Sequence, residues 1–372
     1  ASTLKSGEYG AFSTLLATSG MYANMVFGPI KFAIVPEHAS YVIQRRQGVY
    51  EKSLLGSLLW AGGAILLFSL PLLFYSKSWY LCALLTVVSG LFNSWQAVLR
   101  ARLSFWMYGL SYTSQSVSLL SFILFFREEL TTILVIQVHI LSYFIGFLVS
   151  WLLSGLVLPV LPSIEVFRKS IKIGGPLAVG NVAENLTYLG FRYALIIFGA
   201  SKHLDLFSFS VDLAQRTVGL IVNVTSFAIV PKSYRAMAAL KFDYFKRLLV
   251  KGSFFAIFFS LCSILLVLLI DFLGLSQRLG MEIYSSTSFI VAALAVLINR
   301  LKKLIFDPMH VGQGKAHIIP VGYGYAGILS LPIAFTLTHF DLYCWLLPLY
   351  LASFVFVAAF SFIVIFRTTR FA

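Results

Sequence analysis

Phe32-Ala33-Ile34-Val35-Pro36 recurs word for word as Phe227-Ala228-Ile229-Val230-Pro231, about half a chain later. A chance pentapeptide could arise in so apolar a chain, but the surroundings repeat as well. The same offset brings Phe12-Ser13 onto Phe207-Ser208, and a one-residue shift brings Gly56-Ser57 onto Gly252-Ser253. In both copies an apolar run ends at the Pro, a basic stretch follows, and the next apolar run opens near the Gly-Ser pair.

Hydrophobic residues make up 59% of the chain and charged ones 11%, far below the charge of a water-soluble domain. Apolar runs of roughly 20 residues recur throughout, the length needed to cross a hydrocarbon core of ~30 Å. In lipid the backbone must satisfy its own hydrogen bonds, so these runs are predicted to be helices. The fold class is all-α integral membrane protein, with about eleven spans. They are Tyr9–Ile34, Leu54–Phe74, Trp79–Val98, Leu103–Phe126, Thr131–Leu156, Ile173–Phe198, Leu206–Val230, Leu248–Ile270, Met281–Ile298, Ile318–Leu337 and Tyr343–Phe366.

Every second connection is basic. One side carries Arg45, Arg46 and Lys52; Arg100 and Arg102; Arg168, Lys169 and Lys172; six cations from Lys232 to Lys251; Arg300, Lys302, Lys303 and Lys315; and Arg367 with Arg370. The other carries Lys5, Lys77, Arg127, Lys202 and Arg278. Basic loops stay in the cytoplasm, so the C-terminus is expected inside, in a multi-pass protein of the cell membrane. The net charge of +14 is therefore a matter of topology and of contact with anionic lipids, not of nucleic-acid binding. The stretch from Pro231 to Lys251 mixes aromatics with its cations and is expected to lie on the inner leaflet as an amphipathic segment.

The two halves point the same way across the membrane, as in two-lobed transporters built from parallel repeats. Residues 1–160 form the predicted N-terminal lobe and 161–372 the C-terminal one. A span precedes the repeated one in the second half but not in the first, so a further helix is expected ahead of residue 1. The full protein would then have twelve spans, six and six.

Ser6-Gly7-Glu8-Tyr9-Gly10-Ala11-Phe12 resembles the Gly-x-x-x-[Phe/Tyr]-Gly pattern of a known family, with its leading Gly displaced. Gly174-Gly175-Pro176-Leu177 and Val211-Asp212-Leu213-Ala214-Gln215-Arg216 are similar to the opening of that family's C-terminal lobe. The family is the polysaccharide flippases of the multidrug/oligosaccharidyl-lipid/polysaccharide exporter (MOP) superfamily. The resemblance implies a bacterial inner-membrane transporter for an undecaprenyl-diphosphate-linked oligosaccharide, in O-antigen or other surface-polysaccharide biosynthesis, with no enzymatic step and no cofactor.

An ionisable residue in mid-membrane is costly and faces a bundle interior or an aqueous cavity. Glu184, Arg192, Asp212 and Arg216 are such residues. Asn181, Glu184, Asn185, Tyr188 and Arg192 recur at spacings of three and four, on one helix face. Two readings stand side by side. In the structural one, Asp212 pairs with Arg216 and Glu184 with Arg192. In the functional one, Arg192 and Arg216, with Asn181 and Tyr188, receive a diphosphate and its sugars, because guanidinium forks onto phosphate oxygens. Glu184 and Asp212 then take a coupling H+ or Na+, since burial favours a carboxylate that can hold a proton. Lys31, beside a kink expected at Pro29, either snorkels to the interface or stands at a cavity mouth and meets the lipid-linked phosphate.

Asn93, Gln96 and Gln115 could line a sugar path or bond between helices. Gly322, Gly324 and Gly327 match a dinucleotide-binding spacing but lie inside an apolar span, which points to close helix packing. The histidines and cysteines have no metal-ligand spacing. Two other functions remain open: a multidrug or cation antiporter of the same superfamily, whose pocket would avoid free arginines, and a membrane glycan polymerase or acyltransferase, for which no surface nucleophile, base or metal constellation is visible.

Overall fold

A computed structural model describes residues 8–75, 77–126, 131–161, 163–274 and 285–369. They form helices α1 (Glu8–Val26), α2 (Gly28–Ile43), α3 (Gln47–Tyr75), α4 (Lys77–Ala101), α5 (Phe105–Phe125), α6 (Thr132–Leu153) and α7 (Ile164–Ile197). There follow α8 (Ser201–Ala214), a π-helical turn (Gln215–Gly219), α9 (Leu220–Ala238), α10 (Phe242–Phe272), α11 (Ser286–Gly312), α12 (Ile318–His339), a 3-10 turn (Tyr343–Trp345) and α13 (Leu346–Thr369). No strand occurs among the described residues. Lys5, Arg127, Arg278, Arg370, the start of the span from Met281 and the Ser6-Gly7 opening of the first motif lie outside them.

Among the described residues, seven stretches are long and apolar enough to cross a membrane by length and composition: 47–71, 79–101, 132–153, 201–238, 242–272, 318–339 and 343–366. The other helices contain more charge (α7, α11) or more small and hydroxyl residues (α1, α5), which lowers their mean hydropathy. Large side chains such as Trp60, Phe68 and Phe125 stand exposed on the helices, as expected where lipid rather than water is the solvent.

The chain divides into two compact units, residues 15–182 and residues 183–372 together with 1–14. In the first, α2, α3 and α6 pack on α4, and α5 on α6; in the second, α8, α10 and α13 pack on α11, and α9 on α10. α7 approaches α2 closely enough that a Cβ on Gly174 would lie 1.9 Å from the Pro29 carbonyl oxygen.

The sequence repeat reappears in the backbone. Arg45 and Leu240, at the same offset as the repeated pentapeptide, both take left-handed φ values, 55° and 60°. In one copy Arg45 N donates to Val42 O and Arg46 N to Tyr41 O; in the other Leu240 N donates to Met237 O and Lys241 N to Ala236 O. These are helix ends with matching C-terminal caps.

Several expected boundaries move. The span Tyr9–Ile34 is two helices, broken at Phe27, because Pro29 suits the first turn of a new helix. The basic loops after Pro36 and Pro231 are mostly helix: α2 and α9 carry those prolines inside them and run on to Ile43 and Ala238. Lys, Arg and Glu are good helix formers, so charge marks where the apolar run stops rather than where the helix does. For the same reason α11 passes Ile298 and reaches Gly312. The segment expected to lie flat at Pro231–Lys251 is a tight helical corner between α9 and α10.

Candidate functional site

Two polar clusters lie in the unit of residues 183–372 and 1–14. The first centres on Arg192, which is fully buried. Its guanidinium donates to Asp212 Oδ1 at 3.0 Å and to Ser13 Oγ at 2.7 Å. Tyr188 Oη donates to the same Asp212 oxygen at 2.9 Å, and the Ser13 hydroxyl donates to Oδ2. The Arg192 guanidinium also lies 4.1 Å from the centre of the Tyr188 ring. Tyr188 and Arg192, four apart on α7, share a face; α8 supplies Asp212. Phe191, Phe207 and Tyr350 pack into an aromatic cluster beside them.

The second cluster holds Glu184. Asn299 Nδ2 donates to its Oε1 at 2.7 Å, Lys303 forms an ion pair with it, and Tyr323 Oη donates to Asn299 Oδ1 at 2.6 Å. On the next turn of α11, Lys302 pairs with Asp307 at 2.6 Å. Arg300 donates to Gln215 Oε1, in the π turn, at 2.7 Å.

The expected pairings therefore exchange partners. Asp212 is held by Arg192 instead of Arg216, and Glu184 by Lys303 instead of Arg192. Glu184 and Arg192 are two helical turns apart, about 12 Å along the axis, too far to touch. The wide π turn takes Arg216 out of the helical register that would set it over Asp212. Arg216 is exposed and has no ion-pair or hydrogen-bond partner among the described residues. Ser13, Asn299, Lys303 and Tyr323 went unnoticed as partners. Asn299 and Lys303, four apart, carried a readable signal, but the predicted span stopped before them.

Asn181 and Lys31 belong to the other unit. Asn181 Nδ2 donates to the Leu177 carbonyl of its own helix at 2.9 Å. Lys31 lines a cavity of about 170 Å³ with Ser19, Asn24, Ser89, Asn93 and Tyr143, its ammonium 3.4 Å from Asn24 Oδ1; among the described residues no carboxylate lines this space. Of the three residues considered for a sugar path, Asn93 faces the cavity, whereas Gln96 bonds Ser111 and Gln115 bonds Ser142 between helices.

Beyond the inner end of the first predicted span, Glu37 is buried in the same unit. Ser170 Oγ donates to its Oε2 at 3.1 Å, and among the described residues its Oε1 has no hydrogen bond and no cation lies within ion-pair distance. Burial pushes its carboxyl up to about 7, against the opposing pull of Tyr50, Ser170 and Lys169. Its neighbour Glu51 instead pairs with Arg102 and His38.

No family profile matches the sequence, and no curated protein matches it. Solved structures do match. An inward-facing multidrug resistance MATE family transporter of the MOP superfamily superposes with a TM-score of 0.62 at 12% identity, over 99% of this chain and 96% of that one. A mutant MATE transporter of Vibrio cholerae gives 0.63 at 14%, over 97% and 87%. A MOP superfamily transporter from Pyrococcus furiosus, described as having a binding pocket of reverse polarity, gives 0.59 at 13%, over 96% and 86%. The likeness is one of fold: an all-helical, two-lobed membrane architecture shared with these transporters.

Proposed function

We propose that the chain is a multi-pass membrane transporter that moves an amphipathic organic solute by alternating access, driven by a coupling ion. The observation that carries this is the fold, which matches transporters along nearly the whole chain. Because the matched structures include transporters described as multidrug resistance proteins, extrusion of organic ions by antiport has the wider structural support. The pairing of Arg192 with Asp212 favours it too, since a neutralised arginine does not repel a cationic drug.

A second cargo, an undecaprenyl-diphosphate-linked oligosaccharide carried across the bacterial inner membrane, is favoured by one specific observation. The cavity in residues 15–182 presents Lys31, two asparagines, two serines and a tyrosine, and no carboxylate. Hydroxyls and amides suit sugars, and an ammonium on the wall of such a cavity suits phosphate. In the other unit, Arg216 is exposed, pairs with no group among the described residues, and is by itself available to an anion.

Expression in two bacterial hosts separates the cargoes: one lacks its drug exporters, the other its lipid-linked-oligosaccharide flippase. Drug resistance without restored surface glycan assigns the antiporter; restored glycan without resistance assigns the flippase. Neither phenotype, with the protein present in the membrane, removes both cargoes.

A further inference from the structure

Residues 246, 247, 250, 251, 254, 258 and 261 of α10 follow at helical spacings and form one outward face. Lys246, Arg247 and Lys251 stand on its first turns, exposed and without any ion pair or hydrogen bond among the described residues. Asp243, the exposed acid one turn earlier, pairs with none of them. Beyond Lys251 the face is apolar, with Phe254 68% and Phe258 53% exposed, and Val250 beside Lys251 is 67% exposed. The opposite face is fixed: Phe245 and Leu249 are buried against Ala236 and Met309. The three cations therefore stay on the outside.

The corresponding turns of the first repeat are closed. On α3, residues 53–58 are all buried. Ser163 N donates to Ser53 Oγ at 3.0 Å, Val160 N donates to Lys52 O at 3.3 Å, and a Cβ on Gly56 would lie 1.9 Å from Val160 O. The chain after α6 thus lies across α3, whereas at the equivalent turns of α10 residues 250, 251 and 254 are exposed.

We infer that the outer face of α10 is a binding site for an anionic phospholipid of the cytoplasmic leaflet, its phosphate on Lys246, Arg247 and Lys251 and an acyl chain along Val250, Phe254 and Phe258. The inference rests on the reading of α10 as a membrane span with its basic end inside. The order of chemistry along the helix is that of the lipid, charge first and then hydrocarbon. From Lys251 to Leu261 the helix rises about 15 Å, half of a ~30 Å hydrocarbon core. A free phosphate would use the cations and leave the apolar stripe idle; a soluble protein would meet that stripe inside the membrane, where it cannot reach.

The test uses the full chain in detergent micelles with added lipid, read as the shift in thermal unfolding midpoint against lipid concentration. Three forms are compared: the native chain, K246Q/R247Q/K251Q, and R45Q/R46Q/K52Q, which removes as many exposed cations at the other repeat's corner. Phosphatidylglycerol is expected to stabilise the native chain and R45Q/R46Q/K52Q alike. For K246Q/R247Q/K251Q the apparent affinity falls roughly hundredfold, each cation near an anionic surface being worth a factor of about five. Phosphatidylcholine and inorganic phosphate leave all three unchanged. Equal losses in the two triple variants would reduce the effect to general surface charge and overturn the site. So would stabilisation of the native chain by inorganic phosphate, or none by phosphatidylglycerol. Loss of transport in the two bacterial hosts would sink the functional reading and leave this result untouched.

Discussion

Arg192 on α7 is fully buried with a guanidinium nitrogen 3.0 Å from the carboxylate of Asp212 on α8. Ser13 and Tyr188 close the remaining sides of the same carboxylate. The guanidinium is held by the desolvation its charge would suffer alone, while Asp212 keeps 24% of its side chain exposed.

Removing one partner is therefore expected to cost far more than removing both. Arg192→Ala leaves a half-buried carboxylate without its cation and should lower stability by about 1 to 3 kcal/mol, whereas the pair Arg192→Met with Asp212→Leu should recover most of that. Urea unfolding in mixed micelles checks it. An Arg192→Ala protein as stable as the native chain would show that the pair is not structural.

Glu37 predicts a pH dependence. Below about 4.5 its carboxyl is protonated in both the folded and the unfolded chain. Between there and its folded value of about 7, the unfolded chain has released a proton that the folded one keeps. Stability at this site is thus complete at low pH, falls as pH rises through that window, and levels off above it, a total of about 3 kcal/mol. Glu37→Gln preserves a polar partner for Ser170 and should flatten this part of the profile, read as unfolding midpoints from pH 5 to 8. An unchanged slope in Glu37→Gln would assign the dependence to other groups.

Gly174→Ala places a methyl 1.9 Å from the Pro29 carbonyl oxygen and 2.9 Å from Ala33 N, both backbone atoms that cannot swing aside. It should destabilise by at least about 1 to 3 kcal/mol. Gly175→Ala, whose added carbon meets only Ile171 at an ordinary 3.8 Å, should be nearly neutral. The ratio of monodisperse protein recovered for the two variants measures this, and similar recoveries would contradict the close approach of α7 to α2.

Much of the fold was readable because two periodic signals survive in the sequence: apolar runs of membrane length, and a repeat strong enough to place Arg45 and Leu240 in the same left-handed cap. Helix ends were not, since Lys and Arg leave the apolar run without leaving the helix, as α11 does beyond Ile298. The charges of the site were legible one by one, but not their partners. Asp212 and Arg216 sit four apart, and only the π turn between them, invisible to spacing, separates them. Lys303 reaches Glu184 from more than a hundred residues away, a pairing that no local rule encodes.

Lys31→Ala, exchanged into whichever of the two hosts the native chain complements, tests the account most directly. The measurement is export per molecule of protein in the membrane. Lys31 lines the cavity and its loss leaves the Arg192 and Glu184 clusters intact. Export reduced at least about tenfold at native abundance, the loss of one charge-assisted contact, is the expected result. Export as fast as in the native chain would contradict a transport path through this cavity.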